Sequence, residues 1–117
     1  MMALAGNAAA QEVKRTEIGR SPVSGDADKE IVMQLVEFPP GARSPRHFHN
    51  GEEAFHVIEG GTVQMPGKEP KERPVGERGI NQRGVPHAGY TVVGDRTVKI
   101  LSVYVVDKGK PLQESAP

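Results

Sequence analysis

The chain contains no cysteine and no tryptophan, and only 4% of its residues are aromatic. Without cysteine there are no disulfides, no thiolate nucleophiles and no sulfur-ligated zinc or iron–sulfur sites. Any metal has to be held by His, Asp or Glu. Charge of one sign is also missing, because fifteen Lys and Arg balance fifteen Asp and Glu. That balance argues against nucleic acid or an anionic membrane as a partner held through global charge. No stretch approaches the roughly 18 apolar residues of a membrane helix. Internal repeats, low-complexity tracts and a sustained helical period are absent as well.

What remains is one domain's worth of protein, 117 residues long. Fourteen Val and five Ile stand against four Leu and four Met. β-Branched side chains are stiff at χ1 and suit a pleated surface. Fourteen Gly and ten Pro supply tight turns between short strands. The composition points to a small all-β domain, a barrel or two-sheet sandwich.

Met1–Ala10 lacks charged side chains, and Asn7–Gln11 reads like the small-residue end of a secretory signal peptide. No basic region precedes it, so an N-terminal tail is the other reading. The first reading places the protein in the periplasm or outside the cell, the second in the cytoplasm. Residues 1–30 are expected to form this tail plus an edge segment near Val13–Ile18. Ile31–Phe38 reads as a strand stopped by Pro39-Pro40-Gly41. Ala54–Glu59 and Thr62–Met65, joined at Gly60-Gly61, read as a hairpin. Thr91–Val93 and Arg96–Val106, joined at Gly94-Asp95, read as another. The last strand is apolar at both parities and is expected to be covered on both faces, one of them at an interface. Residues 108–117 are expected to be a polar tail.

Four histidines are present, and two form His47-Phe48-His49. On an extended strand, residues i and i+2 point to one face, so both imidazoles converge there. Glu53 keeps the same parity if Asn50-Gly51 only bends the chain. His87 follows Pro86 about forty residues later. Three imidazoles and a carboxylate fill four positions around a divalent ion, leaving Mn, Fe, Co, Ni, Cu or Zn as candidates. His56 and Glu52 have the opposite parity and are expected to face away. Phe55 and Val57 share the parity of Glu53 and are expected to wall a pocket, with Tyr90 at its mouth. Phe38 and Tyr104 read as core or interface packing. Arg43, Arg46, Arg78 and Arg83 lie near these segments; one of them reaching an anionic substrate is the alternative to four solvated side chains. The Lys68–Arg73 run, mixed in sign, reads as a soluble loop.

The spacing of these residues is more specific than the residues themselves. Gly41, His47, His49, Glu53 and Gly60 stand in the frame G-x5-H-x-H-x3-E-x6-G. Gly76, Gly84 and His87 follow in the frame G-x7-G-x2-H. This double frame resembles the cupin superfamily over roughly residues 31–107. Two positions depart from the second cupin motif: Gln82 stands for its Pro and Thr91 for its Asn. The resemblance implies a double-stranded β-helix, or jelly-roll, barrel. It also implies a metal held by His47, His49, Glu53 and His87 in the barrel mouth. Two function classes follow from it. One is a metal-dependent enzyme of oxygenase, decarboxylase or isomerase type on a small oxygen-rich molecule, with Glu53 as a possible base. The other is a non-catalytic module that binds or senses a small molecule or metal. The resemblance further implies a homodimer paired through the outer sheet face.

The charged stretch 66–85 stands apart from this pattern, with Val75 and Ile80 almost its only apolar members. Either it is a short solvated hairpin or part of it lines a polar pocket.

Overall fold

β-Branched runs and Gly/Pro breakers divide residues 12–117, the part the computed structural model describes, into eleven strands. They are β1 (Lys14–Val23), β2 (Asp26–Phe38), β3 (Arg43–Ser44), β4 (His47–Phe48), β5 (Gly51–Glu59) and β6 (Gly61–Gln64). Then come β7 (Lys71–Arg73), β8 (Arg78–Asn81), β9 (Tyr90–Val93), β10 (Val98–Asp107) and β11 (Glu114–Ser115). There is no helix among the described residues. The expectation for Met1–Ala10 falls outside them.

Antiparallel strands β1, β2, β10, β5 and β8 lie in that order in one sheet. A second sheet has the order β3, β9, β6, β7, and β11 pairs with β4 in a small separate ladder. The inner faces of the two large sheets meet in one core. Val36, Phe38, Val57, Val98 and Ile100 come from the first sheet, and Val63, Tyr90 and Val92 from the second. Each buried Val contributes about 1.5–3 kcal/mol relative to exposure. A smaller cluster of Val32, Tyr104 and Val106 lies further along the first sheet, with Leu112 packed against it. This is the expected all-β jelly roll.

Two details of the sequence reading are corrected. Neither expected hairpin forms, because β5 pairs with β10 and β8 while β6 pairs with β9 and β7. Likewise β9 lies in the second sheet and β10 in the first. Gly60-Gly61 and Gly94-Asp95 are therefore corners at which the chain changes sheet. A hairpin and a corner have the same local signature, a turn residue between two apolar runs. Only the pairing partners distinguish them. At Gly60, a Cβ would stand 2.5 Å from the Arg73 carbonyl oxygen, so the corner closes only with glycine.

The N-terminal edge is longer than expected. β1 runs to Val23 and β2 begins at Asp26. Pro22 is tolerated because β1 is an edge strand. Segment 108–117, expected as a polar tail, packs back on the barrel: β11 pairs with β4 at Glu114↔Phe48 and Ser115↔His47. On β10, Val98, Ile100, Ser102, Tyr104 and Val106 are buried, whereas Leu101, Val103 and Val105 face outward. Within one chain, then, only one face of this strand is covered.

The close contact at the Gly60 corner has a measurable consequence. Gly60→Ala is expected to lower unfolding stability by about 1–3 kcal/mol. Urea denaturation followed by circular dichroism checks this, and an unchanged midpoint would refute the corner's role.

Candidate metal centre

The first two imidazoles are placed by the β4 segment. His47 and His49 are 6% and 2% exposed, with Phe48 between them pointing elsewhere. His87 arrives from the loop before β9 and forms an isolated antiparallel bridge with His47. The His47 N–H donates to the His87 carbonyl at 3.1 Å, and the His87 N–H donates to the His47 carbonyl at 2.8 Å. Two backbone bonds thus join the two halves of the motif directly. The residue after His87, Ala88, adopts φ 68°, a conformation that L side chains rarely take and one that stores strain beside the site.

Each imidazole is oriented by a backbone carbonyl. Nδ1 of His47 lies 2.7 Å from the Pro45 oxygen, Nδ1 of His49 lies 2.8 Å from the Leu112 oxygen, and Nδ1 of His87 lies 3.2 Å from the Val85 oxygen. A carbonyl only accepts, so all three Nδ1 atoms carry the proton. The Nε2 atoms are left with lone pairs. One ring nitrogen from each of the three histidines lies within 4.8 Å of the others. The Nε2 atoms of His49 and His87 are 3.2 Å apart. Glu53 Oε1 is 3.2 Å from His49 Nε2 and 3.4 Å from His87 Nε2. Electron-rich atoms converging at this range repel one another unless a proton or a cation sits among them. The donor set fits a divalent transition metal: three imidazole nitrogens, one carboxylate oxygen, no sulfur.

Glu53 is seated by β5 between β10 and β8, opposite Tyr104 on one side and Asn81 on the other. Asn81 Nδ2 donates to Oε1 at 2.9 Å and Ser102 Oγ donates to Oε2 at 2.8 Å. Burial pushes the Glu53 carboxyl up, but hydrogen bonds from His49 and His87, available when an imidazole also carries a proton on Nε2, and from Asn81 and Ser102 outweigh it and hold it well below the usual carboxylate range. A carboxylate so fully engaged is a poor general base. His47 is pushed down to about 4, chiefly by burial, and stays neutral at pH 7. For His87, burial pulls downward, yet the Glu53 carboxylate and the Val85 carbonyl raise it above its ordinary value.

A cavity of about 200 Å³ opens from this centre. His47, His87 and Glu53 are part of its lining, and Phe38, Phe55, Val63 and Ile100 form apolar wall. Tyr90 and Tyr104 also line it. Burial raises both tyrosines, so both keep their protons at neutral pH. Phe55 lines the cavity, and Tyr90, expected at a pocket mouth, lines it from within the core at 7% exposure; Phe38 and Tyr104 also belong to both cavity and core. Val57 does not line the cavity; it is 0% exposed in the apolar core, one inward position beyond Phe55. His56 is exposed on the outer face of β5. The Glu52 carboxylate accepts the Arg83 N–H at 3.1 Å.

Sequence reasoning missed two groups. One is the Leu112 carbonyl, which orients His49 from 63 residues away. Pro111 and Glu114 reinforce it by accepting the two bonds that Asn50 Nδ2 donates. The other is Arg73, which lines the cavity, whereas Arg43, Arg46, Arg78 and Arg83 do not. The charged stretch leaves the second sheet at β7 and joins the first at β8, so Lys71, Arg73, Glu77 and Asn81 reach the cavity wall. Alternation within 71–73 was the only available signal, and three residues are too few to display it.

The Cupin domain family profile matches residues 34–104. Among solved structures, the polyketide cyclase RemF from Streptomyces resistomycificus is 27% identical, with TM-score 0.62 over 92% of this chain and 73% of that one. The DMSP lyase DddQ from Ruegeria pomeroyi is 20% identical, with TM-score 0.63 over 89% of this chain. This chain spans only 51% of the lyase. A double-stranded β-helix protein from Klebsiella pneumoniae is 19% identical, with TM-score 0.61 over 92% of this chain and 89% of that one. No curated protein sequence matches the chain.

The depressed His47 has a consequence for metal-free protein in chelator. Its folded value near 4 lies below the ordinary 6.5, so between these pH values the unfolded chain binds the extra proton. The His47 contribution to stability is therefore complete above about pH 6.5 and is lost as pH falls toward 4. His87, shifted upward, contributes no slope in that window. Urea unfolding across pH 5–6.5, between the ranges in which the depressed Glu53 and the raised His87 add their own slopes, is expected to show this decline, and His47→Asn is expected to flatten it.

Proposed function

The chain belongs to the Cupin domain family, and on that premise we propose that it holds one divalent transition metal through His47, His49, His87 and Glu53 and acts on a small oxygen-bearing molecule in the adjoining cavity. One observation carries this reading. Three Nδ1–H groups are each tied to a backbone carbonyl, which turns three lone-paired nitrogens toward one another beside a buried carboxylate oxygen. Backbone partners of this kind fix the ring orientation of metal-ligating histidines. Manganese, iron, cobalt, nickel, copper and zinc all suit such a set. When bound, the metal supplies Lewis acidity toward a carbonyl or hydroxyl oxygen.

The chain's own residues do the rest. The apolar wall excludes water from the bound molecule. Tyr90 and Tyr104 present neutral hydroxyls that donate hydrogen bonds to developing negative charge. Asn81 and Ser102 hold Glu53 in place. Oxygenation, decarboxylation and isomerisation are the reaction types compatible with this layout. Likeness to a polyketide cyclase favours an enzyme.

A second reading, a module that binds without turnover, has its own supporting observation. Besides Glu53, the only carboxylate lining the cavity among the described residues is Glu77, and Glu77 is bound to Arg73. Neither carboxylate is available as a ready base.

The outer face supports a second copy of the chain as partner. Leu101, Val103 and Val105 of β10 lie beside Leu35, Met33 and Ile31 of β2 in register. Ala54 and Ile80 extend the strip across β5 and β8. A contiguous apolar strip of this kind marks an interface.

Two experiments test these readings. Elemental analysis is expected to find one metal per chain, lost in His87→Ala. Truncation after Lys110 removes the Leu112 carbonyl and is expected to weaken metal affinity about 10–100-fold. A wild-type protein free of metal after growth and reconstitution with each candidate ion would overturn the metal reading. Saturable binding of oxo-acids or catechols with no turnover and no oxygen uptake would select the non-catalytic module. In light scattering at micromolar concentration, a dimer is expected that Val103→Glu converts to monomer with metal content retained.

A further inference from the structure

Arg73 is an unusual residue for a wall of β-sheet. Its side chain is only 12% exposed. The guanidinium lies 5.4 Å from the Phe55 ring centroid and 5.7 Å from that of Tyr90. Nε and Nη2 donate to the two Glu77 oxygens at 3.2 and 3.1 Å, and Nη1 donates to the Tyr90 hydroxyl at 3.2 Å. A guanidinium has five N–H donors in a rigid fork. Among the described residues only these three bonds are made, so one N–H on each of Nη1 and Nη2 is uncommitted. A guanidinium seated this deep against a cavity, with two N–H groups that no protein acceptor takes, is placed to donate to a bound anion.

The surroundings point the same way. Arg15 and Lys71 line the same cavity, so three cationic side chains face it. Glu77 is committed to Arg73, and Glu53 to the histidine cluster. The uncompensated charge in this space is positive, although the whole chain is neutral. The apolar side chains of Phe38, Phe55 and Ile100 line the same cavity.

We infer that Arg73, braced by Tyr90 and Glu77, is a carboxylate-recognition residue, and that the cavity takes a small organic acid whose carboxylate meets the guanidinium while a second oxygen faces the histidine cluster. Paired N–H groups match the two oxygens of a carboxylate better than a single point charge does. The apolar wall accommodates a short aliphatic or aromatic body. About 200 Å³ equals roughly seven waters of liquid volume and lies below the ~300–1,000 Å³ of drug-sized sites. The acid is therefore small. The inference rests on the proposed metal only for the far end of the ligand.

The test uses full-length protein, metal-loaded and chelator-treated in parallel, with 2-hydroxybenzoate and 3-methyl-2-oxobutanoate as probes. Their carboxamides and inorganic phosphate serve as comparisons, and binding is read by calorimetry. Both carboxylates are expected to bind at least tenfold tighter than their amides. Arg73→Met is expected to abolish that preference while metal content stays at the wild-type level. Arg73→Lys keeps the charge without the fork and is expected to retain only part of the preference; it also serves if the Met variant does not fold. Equal binding of acid and amide, wild-type preference in Arg73→Met, tighter binding of phosphate than of either acid, or no binding of either acid at 10 mM would each overturn the inference. Preference dependent on Arg73 in a protein that takes up no metal would support this subsite and refute the metal reading. Normal metal uptake without the preference would do the reverse.

Discussion

Three imidazoles each give their Nδ1 proton to a backbone carbonyl, and the rest of the site depends on those bonds. They place three Nε2 lone pairs on one small volume. The carbonyls come from distant parts of the chain. Pro45 lies just before β4, Val85 in the loop before β9, and Leu112 beyond the last long strand. A shift of any of these segments turns a ring away. The fold acts as a clamp: the His47–His87 bridge joins two of the segments, and β11 pairing with β4 secures the third. Leu112 serves twice, since its side chain packs on Val32, Tyr104 and Val106 while its carbonyl orients His49. Core packing at that end of the barrel and ring orientation are therefore coupled.

Glu53 joins this clamp to the cavity. Its carboxylate accepts hydrogen bonds from Asn81 and Ser102 on the two strands that flank β5, and it faces the Nε2 atoms of His49 and His87 from the histidine loops. This makes it a structural anion more than a proton acceptor. The cavity's chemistry then falls to hydroxyls, cations and apolar wall. The segment that crosses from β7 to β8 supplies two of the cations, Lys71 and Arg73, and there the largely buried Arg73 lies over the Phe55 and Tyr90 rings and pairs with the partly exposed Glu77. An ion pair with one partner this exposed is weak evidence for stability by itself. Its placement at the wall of a cavity that His47, His87 and Glu53 also line makes recognition the better account.

The site was largely legible before the structure. His47, His49 and Glu53 share a parity, and β5 alternates inward at Glu53, Phe55 and Val57 as that parity requires. Val57 takes that face too but is packed into the apolar core, while its register partner Ile100 on β10 lines the cavity. Parity tells which face a side chain takes but not how far along that face the open space extends. Arg73 was unreadable for a related reason. A strand of three residues has no visible period, and the surrounding charges match those of a solvated loop.

By itself, the sequence determined the strand-forming segments, the nitrogen and oxygen character of any metal site, and the spacing that sets His47, His49, Glu53 and His87 in one frame. All of these follow from local quantities: side-chain branching, the absence of sulfur, and the two-residue period of an extended chain. Only the tertiary structure decided which strands pair, and so turned two expected hairpins into corners between sheets. It alone brought the Leu112 carbonyl to His49 and the Arg73 guanidinium to the cavity. Those outcomes depend on contacts between residues far apart in the chain, and local backbone preference is the same for either pairing.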